Sequence, residues 1–195
     1  MAMNRKFGLI GSITLVCRDK NGNVKWTNEA SDKIPNYGMV ARLNAMLKQS
    51  NAITPKAKGV VNLLKLITNT GMAEVAGLIL TDVGGTAFDV VGMGDSGTAE
   101  SAAHTDLQAS TNKDRKAGTG TRVTTTQTND TAQVVATFAT ADGPTGTWSV
   151  QEAAMFNNTT GGIMLFRKIF TAKSVDWDAG DTLEITAKCQ VKQGS

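Results

Sequence analysis

The chain has 195 residues, 41% of them apolar and 19% charged, with 20 basic against 17 acidic side chains. That length suits one domain over 1–195, large enough to bury a core without a disulfide or metal staple. The near balance of charge, with no Lys/Arg cluster, argues against a nucleic-acid surface, and no apolar run approaches the ~20 residues of a membrane helix. Thr, Ala and Gly are plentiful and aromatics few at 5%, which suits strands joined by tight turns. The start, Met1 to Lys6, leads into an apolar stretch broken by Gly8, Gly11, Ser12 and Thr14; it does not read as a signal peptide, and a cytosolic setting is expected.

In chain order, the first element is a hairpin. Ile13, Leu15 and Cys17 alternate with Thr14, Val16 and Arg18, and the Asn21-Gly22 pair supplies a turn that tolerates positive φ before Val24 and Trp26. Tyr37, Val40, Leu43 and Leu47 then recur at helical spacing, predicting one amphipathic helix over 36–49. Two apolar runs follow, Val60 to Ile67 and Val75 to Leu80. Thr68-Asn69-Thr70-Gly71 between them reads as a turn, and the second run as a strand. Phe88 to Val91 is expected as a short strand ending in glycines, and the polar run 110–120 as an exposed loop. Arg122 to Thr128 and Gln133 to Thr140 read as a hairpin around Asn129-Asp130. Trp148 leads a strand into Glu152, and Gly161-Gly162 turns the chain into Ile163 to Phe170. From Thr182 to Lys192 apolar and polar residues alternate strictly, the mark of a sheet with one packed and one polar face. The expected fold is a mainly β, antiparallel sandwich, jelly-roll-like, with one helix.

Signals for chemistry are sparse. Cys17 and Cys189 lie near opposite ends and His104 is far from both, so no zinc-ligand spacing exists and no metal is expected. The cysteines read as free thiols in strands, a bridge tying the first strand to the last being the alternative. Gly92-Met93-Gly94-Asp95-Ser96-Gly97 matches the dinucleotide fingerprint, which requires a βαβ unit around it. Thr98 to Ala109 could make only a short polar helix and a hydrophilic run follows, so the motif reads as structural, with no cofactor or small-molecule substrate. If Gly94 sits at positive φ, replacing it with Val should damage folding. His104 with Asp106, and Ser96 or Ser101 as nucleophile, lack the pattern of a triad. Glu152 and Arg167 each interrupt an apolar strand and read as a structural ion pair across a hairpin.

These segments, in order, resemble virion structural proteins of tailed bacteriophages, small β-sandwiches that serve as capsid decoration (cement) or tail-associated components. The matching stretches are Gly8-Leu9-Ile10-Gly11, the Asn21-Gly22 turn, the predicted helix after Asn36-Tyr37-Gly38, Val90 to Thr98 with Ala103 to Leu107, and Val150 to Asn157 followed by Gly161 to Arg167. Ala154 stands where the family commonly has glycine, and residues 51–80 are longer than its usual pattern. The resemblance implies a non-enzymatic virion protein that contacts the major capsid protein, or tail, collar or baseplate proteins, and copies of itself. Residues 1–8, 51–58 and 110–120 are the expected contact arms, as irregular stretches that can order on a partner.

Overall fold

A computed structural model describes residues 7–31, 67–79 and 85–193. The predicted helix at 36–49 and the stretch 51–58 lie outside them, as do residues 60–66 and most of 1–8. Among the described residues, nine strands form two antiparallel sheets. They are β1 (Phe7–Arg18), β2 (Val24–Ser31), β3 (Val90–Gly94), β4 (Lys113–Ala117), β5 (Thr119–Val123), β6 (Thr131–Phe138), β7 (Thr147–Phe156), β8 (Met164–Asp176) and β9 (Thr182–Gln193). One sheet runs β2-β1-β9-β6-β5 and the other β4-β3-β7-β8. The fold is therefore a mainly β sandwich, as the alternation of the strands predicts.

The core lies between the sheets. Ile13, Leu15 and Cys17 of β1, Val134, Ala136 and Phe138 of β6, and Leu183, Ile185 and Ala187 of β9 meet Val91 and Met93 of β3, Ala153 and Met155 of β7, and Phe166 of β8. The residues of β1, β3, β6, β7 and β9 in this core sit at every second position, so one face of each strand packs between the sheets; the outer face of β3 and β7 is buried as well. Trp177 fills one end, its ring edge-on to Trp148 at 5.8 Å between centroids. Cys17 and Cys189 are buried free thiols. Burial, the Asp181 charge and the Cys17–Asp181 hydrogen bond push the Cys17 thiol up to about 11, partly offset by Lys25, and burial alone pushes Cys189 up to about 12.

Asn21-Gly22 does turn the first hairpin. Gly22 has φ 83° and donates to Asp19 O, while the Asp19 carboxylate accepts from the backbone N–H groups of Asn21 and Asn23. Elsewhere the chain departs from the sequence reading. The run expected as a strand over Val75 to Leu80 is helical as far as it is described: helix α1 runs Asn69–Ile79, and Leu80 lies outside the described residues. Thr68 begins it rather than a turn, because its Oγ1 accepts from Gly71 N at 2.9 Å, capping the first turn, while the same hydroxyl donates to Met164 O. A short apolar run alone cannot separate strand from buried helix face, and Val75 packs on the core as a helix residue.

Residues 110–120 are not a free loop either. They hold β4 and the start of β5, edge strands of different sheets joined at Gly118. The run is polar because its charges are partnered, not because it is unstructured. Lys113 and Arg115 pair with Asp106, and Lys116 pairs with Asp142 and donates to Thr137 O, tying one sheet to the other.

Candidate functional site

The outer face of the four-stranded sheet is covered by residues 95–112, a stretch with no helix despite the short one conceivable at 98–109. The register explains what lies beneath it. Gly94 and Gly92 of β3 stand opposite Glu152 and Ala154 of β7, and Arg167 of β8 stands opposite Ala154. Glu152 and Arg167 are thus diagonal neighbours on one face, 0% and 2% exposed, with Arg167 Nε donating to Glu152 Oε2.

Both partners also hold the covering stretch. Gln108 N donates to Glu152 Oε2 at 3.0 Å and Ala109 N to Glu152 Oε1 at 2.7 Å. Arg167 Nη1 donates to Thr98 O at 2.9 Å, and Nη2 to Ser96 O at 3.5 Å. The backbone of 96–109 therefore gains from two side chains the hydrogen bonds that a ladder would otherwise supply. Gln151 Nε2 adds a bond to Asp95 O, and Ile169 N donates to Glu100 Oε1.

The glycines make this approach possible. A Cβ on Gly94 would lie 2.5 Å from Glu152 Oε1 and 2.9 Å from Ala109 Cβ; one on Gly92 would lie 2.9 Å from the Phe156 ring. Gly94 is inside β3 and is not among the positive-φ glycines, so space and not backbone handedness is what requires it there. Gly97, just beyond the strand, faces Gln151, whose Oε1 would lie 2.9 Å from an added Cβ. The fingerprint's structural context is missing at this place: β3 is flanked by β4 and β7, both antiparallel to it. A carboxylate occupies the space over Gly94 where the fingerprint would admit a pyrophosphate.

A second layer lies beside the pair. Leu107 packs with Val90, Ala154, Phe156 and Met164 in a small apolar cluster under the covering stretch. The Arg115 guanidinium sits 3.7 Å from the Phe156 ring centroid and bonds to Asp106 and to Gly161 O, closing the cluster against the Gly161-Gly162 turn. Desolvation raises the Asp106 carboxyl, but Arg115, the Leu107 N–H and Lys113 together outweigh it and hold it below the usual carboxylate range. His104, Ser96 and Ser101 do not converge: the Ser96 hydroxyl bonds Thr98, Ser101 bonds its own turn, and His104 is not hydrogen-bonded to either side chain.

Sequence reasoning finds the Glu152–Arg167 pair but misses that its job is to hold another segment. It also misses Asp106–Arg115 and Asp181. Asp181 is 2% exposed and accepts from Lys25 Nζ at 2.6 Å and Asp176 N at 2.9 Å. Arg115 lies in a polar run that reads as an exposed loop, and Lys25 between Val24 and Trp26 of a hairpin strand, so only the fold reveals their partners. With three donors on the two oxygens of Glu152 and the pair sealed from water, the arrangement can clamp a segment. No protein-family model, curated protein or solved structure matches this chain.

Proposed function

We propose that this chain is a non-enzymatic virion structural protein of a tailed bacteriophage, a capsid decoration protein that stabilises the head through contacts to the major capsid protein and to its own copies. The observation that carries the reading is a convergence. Four stretches on which the resemblance to phage structural proteins rests (Val90 to Thr98, Ala103 to Leu107, Val150 to Asn157 and Gly161 to Arg167) meet around Glu152 as one mechanical unit. What those stretches have in common is a fastening, and a rigid sandwich with fastened surface segments suits a subunit whose work is contact area. A protein that binds only the assembled shell stabilises it by mass action, and symmetry repeats each weak contact.

The test is a particle made without this protein. Heads should assemble but open at lower temperature, and adding the protein back should restore the lost stability in proportion to occupancy. Equal robustness of depleted heads, or presence of the protein only on tails, would replace the decoration reading with a tail, collar or baseplate one. Calorimetry with ATP and a dinucleotide tests the enzyme reading separately; micromolar affinity would overturn the structural account of Gly92, Gly94 and Gly97.

A further inference from the structure

The sandwich has four sheet edges, and three of them are guarded. Along β8, Thr68 N donates to Leu165 O, Thr68 Oγ1 to Met164 O, and Trp26 Nε1 to Ser174 O, while Glu100 Oε1 accepts from Ile169 N. β4, Lys113-Asp114-Arg115-Lys116-Ala117, carries a charge at every position but its last. β2 carries Lys25 and Glu29 and meets β1 through a bulge between Cys17 and Arg18. Caps, charges and bulges are the means by which proteins keep a strand edge from pairing with another chain.

β5 has neither cap nor bulge. Its sequence, Thr119-Gly120-Thr121-Arg122-Val123, has one charge, its first four residues are exposed, and its register with β6 is unbroken. Among the described residues its backbone makes no hydrogen bond outside the ladder to β6. We propose that β5 is a self-pairing edge, to which a second copy of this chain adds its own β5, antiparallel, across a two-fold axis at Thr121.

The strand is self-complementary in that register. Thr121 meets Thr121, Thr119 meets Val123, and Gly120 meets Arg122, so no like charges stand directly opposite and the long Arg122 side chain lies over a residue that has none. Thr and Val are strand formers, and an isologous contact of this kind is the commonest symmetric dimer. Two five-stranded sheets would become one continuous sheet. Five residues a side make a small interface, so association in solution is weak and symmetric assembly would reinforce it. This deepens the self-association part of the proposed function, but among the described residues β5 is an open edge wherever in a particle the protein sits.

The test is register-specific. In the full chain, sedimentation should show concentration-dependent dimers below about 1 mM. Opposed Cα atoms of an antiparallel pair lie about 4.5–5.5 Å apart, within disulfide reach. Thr121→Cys should therefore cross-link to its copy under mild oxidation, whereas Thr119→Cys should not, because its copies are separated by about 14 Å along the strands. The buried Cys17 and Cys189 serve as silent internal controls. Thr121→Lys places like charges face to face on an exposed position and should weaken association about fivefold with an unchanged circular dichroism spectrum. A chain that stays monomeric up to that concentration, or equal cross-linking of the two cysteine variants, overturns the proposal, whatever the result with phage heads.

Discussion

The two outer faces of the sandwich solve the same problem in opposite ways. On the five-stranded sheet, Ser12, Thr14 and Val16 of β1 lie beside Lys188, Thr186 and Glu184 of β9, and these beside Gln133, Val135 and Thr137 of β6. That face is made of short or solvated side chains at every second position, and the ladder beneath satisfies the backbone without further help. On the four-stranded sheet, a stretch of irregular chain lies across the face and has no ladder of its own. It is held by a buried carboxylate and guanidinium over a floor of glycines. Regular pairing needs no buried charge; an irregular cover does, and it needs the residues beneath it to be small. The difference should show in how each face answers mutation.

The largest effect belongs to the clamp. Glu152→Ala strands the Arg167 guanidinium and two backbone N–H groups, and should cost about 3–5 kcal/mol in urea denaturation. Replacing both partners together by Leu and Met should cost less than the single change, because no charge is left buried. Next comes the floor. Gly94→Val drives a side chain into Glu152 and Ala109 and should cost about 1–3 kcal/mol, measured the same way.

A smaller effect comes from pH. Desolvation raises the carboxyls of Asp106 and Asp142, but Arg115 with the Leu107 N–H and Lys113 outweighs it at the first, and Lys116 with the Ala139 N–H outweighs it at the second. Both therefore end below their usual value of 3.8. A carboxyl lowered on folding stabilises above its unfolded pKa, and that contribution is lost as pH falls through its folded one. Thermal melts should therefore hold level above about pH 5 and fall progressively below pH ~4. Asp106→Asn should flatten that fall while costing about 0.5–1 kcal/mol at neutral pH, since Asp106 is partly exposed. The smallest effect belongs to the open face, where Thr186→Ala should change stability by no more than about 0.5 kcal/mol. A Thr186 cost equal to that of Gly94 would erase the contrast between the faces.

The same contrast divides what the sequence makes legible. The hairpin at Asn21-Gly22, the last strand and the strands around Trp148 to Phe170 follow from alternation and turn chemistry, which are local. Glu152 and Arg167 stand out because each breaks an apolar run. Helix α1 is hidden because its apolar run is short and its start signal, Thr68, sits in a Thr/Asn/Gly cluster that resembles a turn. β4 is hidden because its charges find partners 7 to 26 residues away, in Asp106 and Asp142, which no local pattern announces. Gly94 is legible as special but not for its reason: close approach is a tertiary fact, and a positive φ is the commoner cause.

The most direct test of the clamp is amide hydrogen exchange at Gln108 and Ala109. Both lie in irregular chain, yet both donate to Glu152. They should exchange as slowly as Ala153 in the middle of β7, and in Glu152→Gln they should lose that protection while Ile185 and Ala187 of β9 keep theirs. Exchange of Gln108 and Ala109 at the rate of open surface loops in the unaltered protein would contradict the account, since the buried pair would then not be holding the segment that covers it.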